Sequence, residues 1–459
     1  MNIDRRHLLR LGAVAVGAGA MGAPARVALA APAASPLGTL GLDAAHFGLH
    51  AGSSEDQSRV LQNAIDAAAR ARVPLAIAPG AYRAGNLRLP AGAQLLGVRG
   101  ATQIVMTEGA SLMAATGADH VTLSGLVLDG GKRPLADARG LVNLESCRAV
   151  RIVDCEILSS GGHGIRCVSV DGEVSGTTLT DIADVAVLSY NAAGLVIARN
   201  TIIGAGNNGI QIIRWEAGDD GTMVVDNRIE KVANRSGGSG QYGNAINAFR
   251  AANVIVRGNR IRHCAFSAVR GNTASNIQIE GNSISDVGEV ALYAEFGFEG
   301  AIIADNSVDG AAIGVSVTNF NEGGRLAVVQ GNIIRNLKPL RPPGTDPGDS
   351  AGVGISVEAD TAVTGNVIEN APLAGIMLGW GRYLRDVTAT GNVVRKAGIG
   401  IAVSVTPGSA TTLVANNVIT DSARGAIVGM AGGKAVTADL SQGGVQSYAH
   451  LTISGNRVR

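Results

Sequence analysis

Apolar and polar residues alternate along this chain with a period of two, in short runs broken by Gly, Asn and Asp. In "VIVRGNRIR" (254–262), Val254 and Val256 face one way and Ile255 and Arg257 the other, before a Gly-Asn step. A period of two predicts strands, and no segment between them has the length and period of a crossover helix. The phrase returns as "IQIEGNSIS" (277–285), "AVVQGNIIR" (327–335), "TAVTGNVIE" (361–369), "TATGNVVR" (388–395) and "LTISGNRVR" (451–459). Aligning the Asn residues yields a column: Asn200, Asn227, Asn259, Asn282, Asn306, Asn332, Asn366, Asn392, Asn417 and Asn456. Leu126, Cys155 and Thr177 hold the same slot in three weaker copies, and most intervals fall at 22–29 residues, with longer ones of 32, 34 and 39.

Each copy predicts three short strands. One runs into the Gly-Asn, and a second centres on the apolar residue two after the Asn, as at Ile229, Ile261, Ile284 and Ile334. A third begins with a small residue and an aliphatic, as at Gly164-Ile165, Gly209-Ile210, Ala245-Ile246, Gly314-Val315 and Gly375-Ile376. A coil of this size buries its apolar face only by stacking on its neighbours. Stacked Asn amides donate and accept between coils, and Asn tolerates left-handed backbone angles, which suits a turn. The column is therefore expected to be structural.

This grammar strongly resembles the right-handed parallel β-helices of the pectin-lyase-like superfamily. The expected fold is all-β, with about 13 coils of three strands each. The segment "SSEDQSRVLQNAIDAAARARVPLAIAPGAYRAGNLRLPAGAQLLGV" resembles the entry of pectate-lyase-type helices. There, residues 53–72 form a capping helix, with Ser54 and Gln57 as a capping box. Leu61, Ile65 and Ala68 then face the open first coil, and coils run over 73–459. The resemblance covers essentially the whole mature chain and implies a fold, not a chemistry, because the superfamily holds lyases, hydrolases, epimerases and non-enzymatic members.

Residues 1–30 read as a secretory signal: a basic start, a short apolar run and a small-residue cleavage site at Ala28-Leu29-Ala30. Arg5-Arg6 followed by Leu8-Leu9 resembles a twin-arginine signal. With the repeat, this resembles the twin-arginine-translocated repetitive proteins of bacteria. Residues 31–52 read as a linker. The expected location is periplasmic or secreted, with no membrane span in the mature chain.

Composition sharpens the picture. The chain has 64 Gly in 459 residues, 46% apolar residues and only 3% aromatics, so its core is aliphatic and its turns are frequent. A net charge of +1 leaves no footprint for nucleic acid. Cys147, Cys155, Cys167 and Cys264 lack metal-site spacing and are expected as buried free thiols, with a Cys155 disulfide as the alternative.

Insertions bracket the third strand: 234–244 and 336–352 before it, and 214–222, 319–325 and 429–450 after it. On both margins of one sheet they would wall a groove suited to a linear polymer. Outward positions of that sheet, two after the small residue, run Arg166, Leu188, Gln211, Asn247, Arg270, Tyr293, Ser316, Ser356, Met377 and Ala402; two further on lie Val168, Tyr190, Ile213, Phe249, Asn272, Glu295, Thr318 and Glu358. Polar and planar groups concentrate in the middle coils, and the C-terminal coils turn bland. The candidate substrate-binding residues are Arg166, His163, Tyr190, Gln211, Arg214, Trp215, Asn247 and Asn272, since Arg forks match uronate carboxylates and aromatic faces match sugar rings. The candidate catalytic residues are Arg270, Tyr293, Glu295, Arg250 and Glu216. Glu216 and Glu295 would be an acid and base. In a lyase, Arg270 or Arg250 would take the proton beside a uronate carboxylate and Tyr293 would serve the leaving oxygen. An ordinary solvated sheet face, with cross-strand Arg and Glu pairs, suits the same residues.

Gly162-His163-Gly164 resembles the Gly-His-Gly of polygalacturonases, but the only Asp-Asp, Asp219-Asp220, comes after it and no Asn-Thr-Asp or Arg-Ile-Lys exists. His163 falls in the slot of Asn208, Asn244 and Ser267, which fits a turn residue. No cofactor is indicated. Ca2+ of the pectate-lyase kind would need carboxylates on adjacent coils, and Asp219-Asp220 has no second cluster beside it. The Asp-Pro-His of mannuronan epimerases is absent. The expected partner is a polysaccharide or cell-envelope glycan, either cleaved by a polysaccharide lyase or glycoside hydrolase chemistry or bound by a non-catalytic envelope repeat protein. The last coil is open, to be covered by the 429–450 insertion or by another subunit.

Overall fold

The computed structural model describes residues 41–136 and 138–459. The signal assigned to 1–30 and the first part of the linker lie outside them. Parallel strands stack rung on rung, as the alternation requires. The first strands of all coils form one sheet of sixteen strands. Thirteen of its rungs carry the repeat slot. Three precede it, at Leu42–Asp43, Leu75–Ala76 and Gln94–Leu96, where no Asn marks the turn. Leu42–Asp43, within the span read as linker, already pairs with Leu75–Ala76. Second and third strands form two further ladders, and in two late coils they fuse into single strands, Val367–Leu378 and Val393–Ser404.

One aliphatic core fills the coils from Ala44 to Leu451. Val254 and Val256 are fully buried in it, while Arg257 is exposed, as alternation demands. The helix Ser58–Ala71 turns Leu61, Ala64, Ile65 and Ala68 into that core and closes the first coil. It starts without the expected capping box. The Gln57 side chain instead bonds both backbone groups of His50, and Asp56 Oδ1 accepts from the Ser58 N–H at 2.9 Å. Gln57 thus secures the incoming chain rather than the helix.

The Asn column forms a continuous ladder. Each Nδ2 donates to the next Oδ1 at 2.9–3.0 Å from Asn200 through Asn456. Each Nδ2 also donates to a strand carbonyl of the preceding coil, as Asn227 does to Ile197 O, and each Oδ1 accepts a backbone N–H as well. All four hydrogen-bonding positions of a buried amide are filled. The left-handed angle, however, belongs to the residue before the Asn. Gly258 has φ +68°, and Arg199, Asp226, Asp305 and Asn416 take its place where Gly is missing. A Cβ on Gly258 would lie 2.4 Å from Asp226 Oδ1 of the preceding coil, so the Gly of the motif is fixed by contact as well as by angle.

The 429–450 insertion folds back at the C-terminal end. Ile427–Ala431 pairs antiparallel with Lys434–Asp439 and covers the edge of the third ladder, while Leu451–Ser454 and Arg457–Val458 complete the other two. All four cysteines are free and buried. Burial pushes the Cys155 thiol up to about 11 and Cys167 and Cys264 up to about 12. No helix among the described residues is long and apolar enough to cross a membrane.

Candidate functional site

The third ladder places its outward residues in register. Arg166 pairs with Leu188, then Gln211, Asn247, Arg270, Tyr293, Ser316, Ser356, Met377 and Ala402 follow coil by coil. The neighbouring column runs Val168, Tyr190, Ile213, Phe249, Asn272 and Glu295. Side chains some two dozen residues apart therefore stand side by side on one face.

Two insertions interlock over this face. Ser239 N donates to Gly344 O at 2.9 Å, joining the 234–244 and 336–352 loops. Under them lies a buried charge cluster. Arg270 forks onto Glu295, with Nε to Oε1 at 2.6 Å and Nη2 to Oε2 at 2.9 Å. Its Nη1 reaches Ser239 Oγ at 2.9 Å and Glu289 at 3.4 Å, and Arg341 Nη1 meets the other Glu289 oxygen at 2.9 Å. Asn272 Nδ2 donates to Glu295 at 2.9 Å. Two guanidinium groups thus face two carboxylates, all nearly buried. Burial alone would lower the Arg270 pKa, but Glu295 and Glu289 raise it. Burial, then Glu295, raises Tyr293, whose ring lies 4.8 Å from the Arg270 guanidinium.

Beside this cluster opens a cleft of about 520 Å³. Tyr190, Gln211, Asn247, Arg270 and Asn272 line it, with Ile213, Phe249 and Phe296 as apolar surface and Ser239–Gln241 as a wall. Five of the residues expected from sequence therefore meet in one place. The buried Oδ1 of Asn247 has no protein partner. Trp215, 62% exposed, lies 6.4 Å from the Tyr190 ring, and the Arg166 guanidinium lies over that ring at 5.9 Å.

Other expected residues fall elsewhere. The 214–222 segment is not a free loop: the strand Asn208–Asp219 runs through it, with a bulge between Ile213 and Gly218. Glu216 is exposed on that bulge, whereas Glu295 is buried and forked, so no acid and base pair forms between them. Arg250 is exposed and donates to Trp215 O at 2.8 Å, and Arg214 points to Ala192 O at 3.4 Å. His163 is buried and its Nδ1 accepts from Val185 N at 3.3 Å, as Asn208 accepts from Asn244 N and Asn244 from Ser267 N. Burial lowers its pKa, against the pull of Asp184. It opens the strand His163–Val168, where a turn residue was expected, and lines neither this cleft nor the smaller one around Glu358. Asp220 is buried and bonded to Thr222, while Asp219 accepts from Asn253 at 2.7 Å. Among the described residues no group of three or more His, Cys, Asp or Glu could hold a metal ion.

A second, smaller cleft of about 180 Å³ follows on the coils that read as bland. Tyr293, Ser316 and Ser356 lie along the strands, Thr318 and Glu358 just past strand ends, Asn319 and Trp380 at one margin, and Arg341 and Asp349 on the 336–352 loop. Glu358 is 8% exposed, and its Oε2 accepts from Phe320 N at 2.7 Å. Burial pushes its carboxyl up to about 6, partly opposed by the backbone N–H groups of Phe320 and Asn319, and no cation offsets the burial. Trp380 is 43% exposed, and its indole rests on Gly433, where an added Cβ would come within 2.8 Å of the ring. Sequence reading placed Glu358 on the outward face but passed over it and Trp380, because the adjoining positions Met377 and Ala402 are apolar.

The family described as right handed beta helix region matches residues 213–394. Nothing among curated proteins matches significantly. Among solved structures, the chain is similar to the catalytic unit of a thermostable GH87 alpha-1,3-glucanase from Streptomyces thermodiastaticus, at 17% identity over 92% of this chain and 69% of that one, TM-score 0.50. It is similar to the pre-mature gene product 12 of bacteriophage phi29, at 15% identity over 88% of this chain and 58% of that one, TM-score 0.51. The A-module of the mannuronan C-5 epimerase AlgE6 from Azotobacter vinelandii is 14% identical over 91% of this chain and 99% of that one, at a TM-score of 0.44. At these identities the glucanase and gene product 12 speak for the fold and not for chemistry. The chain is a right-handed parallel β-helix.

Proposed function

We propose that this is an exported β-helix protein, periplasmic or secreted, that binds a linear polysaccharide or cell-envelope glycan along its third ladder. The observation that carries this reading is the walled cleft between Tyr190 and Phe296. Its flat aromatic surfaces suit sugar rings, and Gln211, Asn247, Asn272 and Arg270 supply hydroxyl partners within it. The glucanase among the similar folds acts on a glycan by its name, which agrees with this reading.

Lyase chemistry at Arg270 is not part of the proposal. A guanidinium forked onto one carboxylate and close to a second has no tendency to accept a proton. The cluster around it positions the wall.

Affinity electrophoresis of the purified protein through gels containing polygalacturonate, alginate, α-1,3-glucan, β-glucan or chitosan tests the reading. At least one gel should retard the wild type, and Y190A and N247A should each relieve the retardation by roughly tenfold in affinity. If no gel retards it, or if both variants behave as wild type, the groove does not bind glycan.

A further inference from the structure

The smaller cleft combines features that the larger one lacks. Glu358 is a nearly buried carboxyl with one backbone bond and no cationic partner, yet it lines an open cleft. Asp349 lines the same cleft from the loop and is half-exposed, with Arg341 at 3.1 Å. The environments differ in kind. Burial favours the neutral form of Glu358. Burial raises Asp349 as well, and Asp346 and Glu289 add to it, while the Arg341 and Arg270 guanidinium groups oppose the rise. Of the other charged neighbours, Arg341 is shared between Asp349 and Glu289, Arg325 and Arg385 both pair with Asp360, and Tyr293 lies beside Arg270. Trp380 offers an indole face at the margin. Two carboxyls of one cleft, one paired with a guanidinium and one without a cation, beside an aromatic platform, match the needs of glycosidic hydrolysis.

Resting on the glycan reading above, we infer that the bound polysaccharide is hydrolysed in this cleft, with Glu358 as proton donor and Asp349 as base. The Glu358 carboxyl gives its proton to the glycosidic oxygen as the C1–O bond breaks and the leaving sugar departs as an alcohol. A water oxygen bonds to C1 and passes its proton to Asp349. One water is consumed, and both carboxyls return to their starting states by exchange with solvent.

The test uses the full protein and the polysaccharide panel above, with binding followed by gel retardation and cleavage by new reducing ends. The wild type should bind and cleave the same polymer, and its rate should fall as pH rises through about 6. E358Q, which keeps an acceptor for Phe320 N, and D349N should each lower the rate about 100-fold or more while binding is retained. Binding without cleavage, or E358Q or D349N cleaving at the wild-type rate, overturns this inference and leaves the groove reading standing. Absence of binding to every polymer overturns both.

Discussion

A single carboxyl shows how position outweighs residue type. Glu358 sits where its neutral form is favoured, at about 6 against an ordinary 4.5. Between those values the folded chain holds a proton that the unfolded chain has released. Stability from this group is therefore complete below about pH 4.5 and is lost as pH rises through about 6, a difference of ~2 kcal/mol. E358Q removes the titration. It should match the wild type in urea unfolding at pH 4 and exceed it by roughly 1–2 kcal/mol at pH 8. Arg270 is the opposite case. R270M leaves Glu295 buried without its fork and should cost about 3–5 kcal/mol, whereas R270M/E295M should recover a large part of that, both read by denaturant unfolding. The columns holding these residues were legible in the sequence, because a period of two and a repeat of fixed register determine who stands beside whom. Their environments were not. Arg270 bonds Ser239 directly and shares Glu289 with Arg341, and both residues come from loops far from it in the chain.

At the scale of elements, strands were read more reliably than loops. Alternation marks a strand whatever surrounds it, but the 214–222 segment carries a bulge within a continuing strand, and a bulge hides the period. The 336–352 insertion was seen as a wall, and its grip on the 234–244 loop was not, since Ser239 N to Gly344 O is a backbone contact with no side-chain signature. The C-terminal hairpin has a definite task. Lys434–Asp439 occupies the hydrogen-bonding edge beside Ile427–Ala431, with Gly432 and Gly433 both left-handed in the turn between. Replacing residues 434–439 by a Gly-Ser linker should expose that edge. Light scattering after size exclusion should then show concentration-dependent oligomers absent from the wild type. A variant that runs at the wild-type mass would show that the edge needs no cover.

For the whole molecule, cohesion comes from nearest-neighbour coils, with the Asn ladder as the continuous polar thread through an otherwise aliphatic interior. Asn306 illustrates its weight. Its amide receives two bonds from Asn282 and gives one each to Asn332 and to Ile279 O. N306A would leave buried donors on Asn282 and a buried carbonyl at Ile279 unpaired, at a cost of roughly 2–4 kcal/mol, measured as a lowered denaturation midpoint with unchanged far-ultraviolet dichroism. A loss under about 0.5 kcal/mol would show that the thread is decorative.

The ladder has a further consequence. Between Asn200 and Asn456 each amide donates a hydrogen bond to the next and accepts one from the last, so each turn presents to its neighbour the same polar profile that it received. A turn could be excised or copied whole, from one Asn to the following one, and the joint would close on matching partners. The length of the β-helix is thereby open to change by single-turn duplication, with no side chain needing to be reinvented.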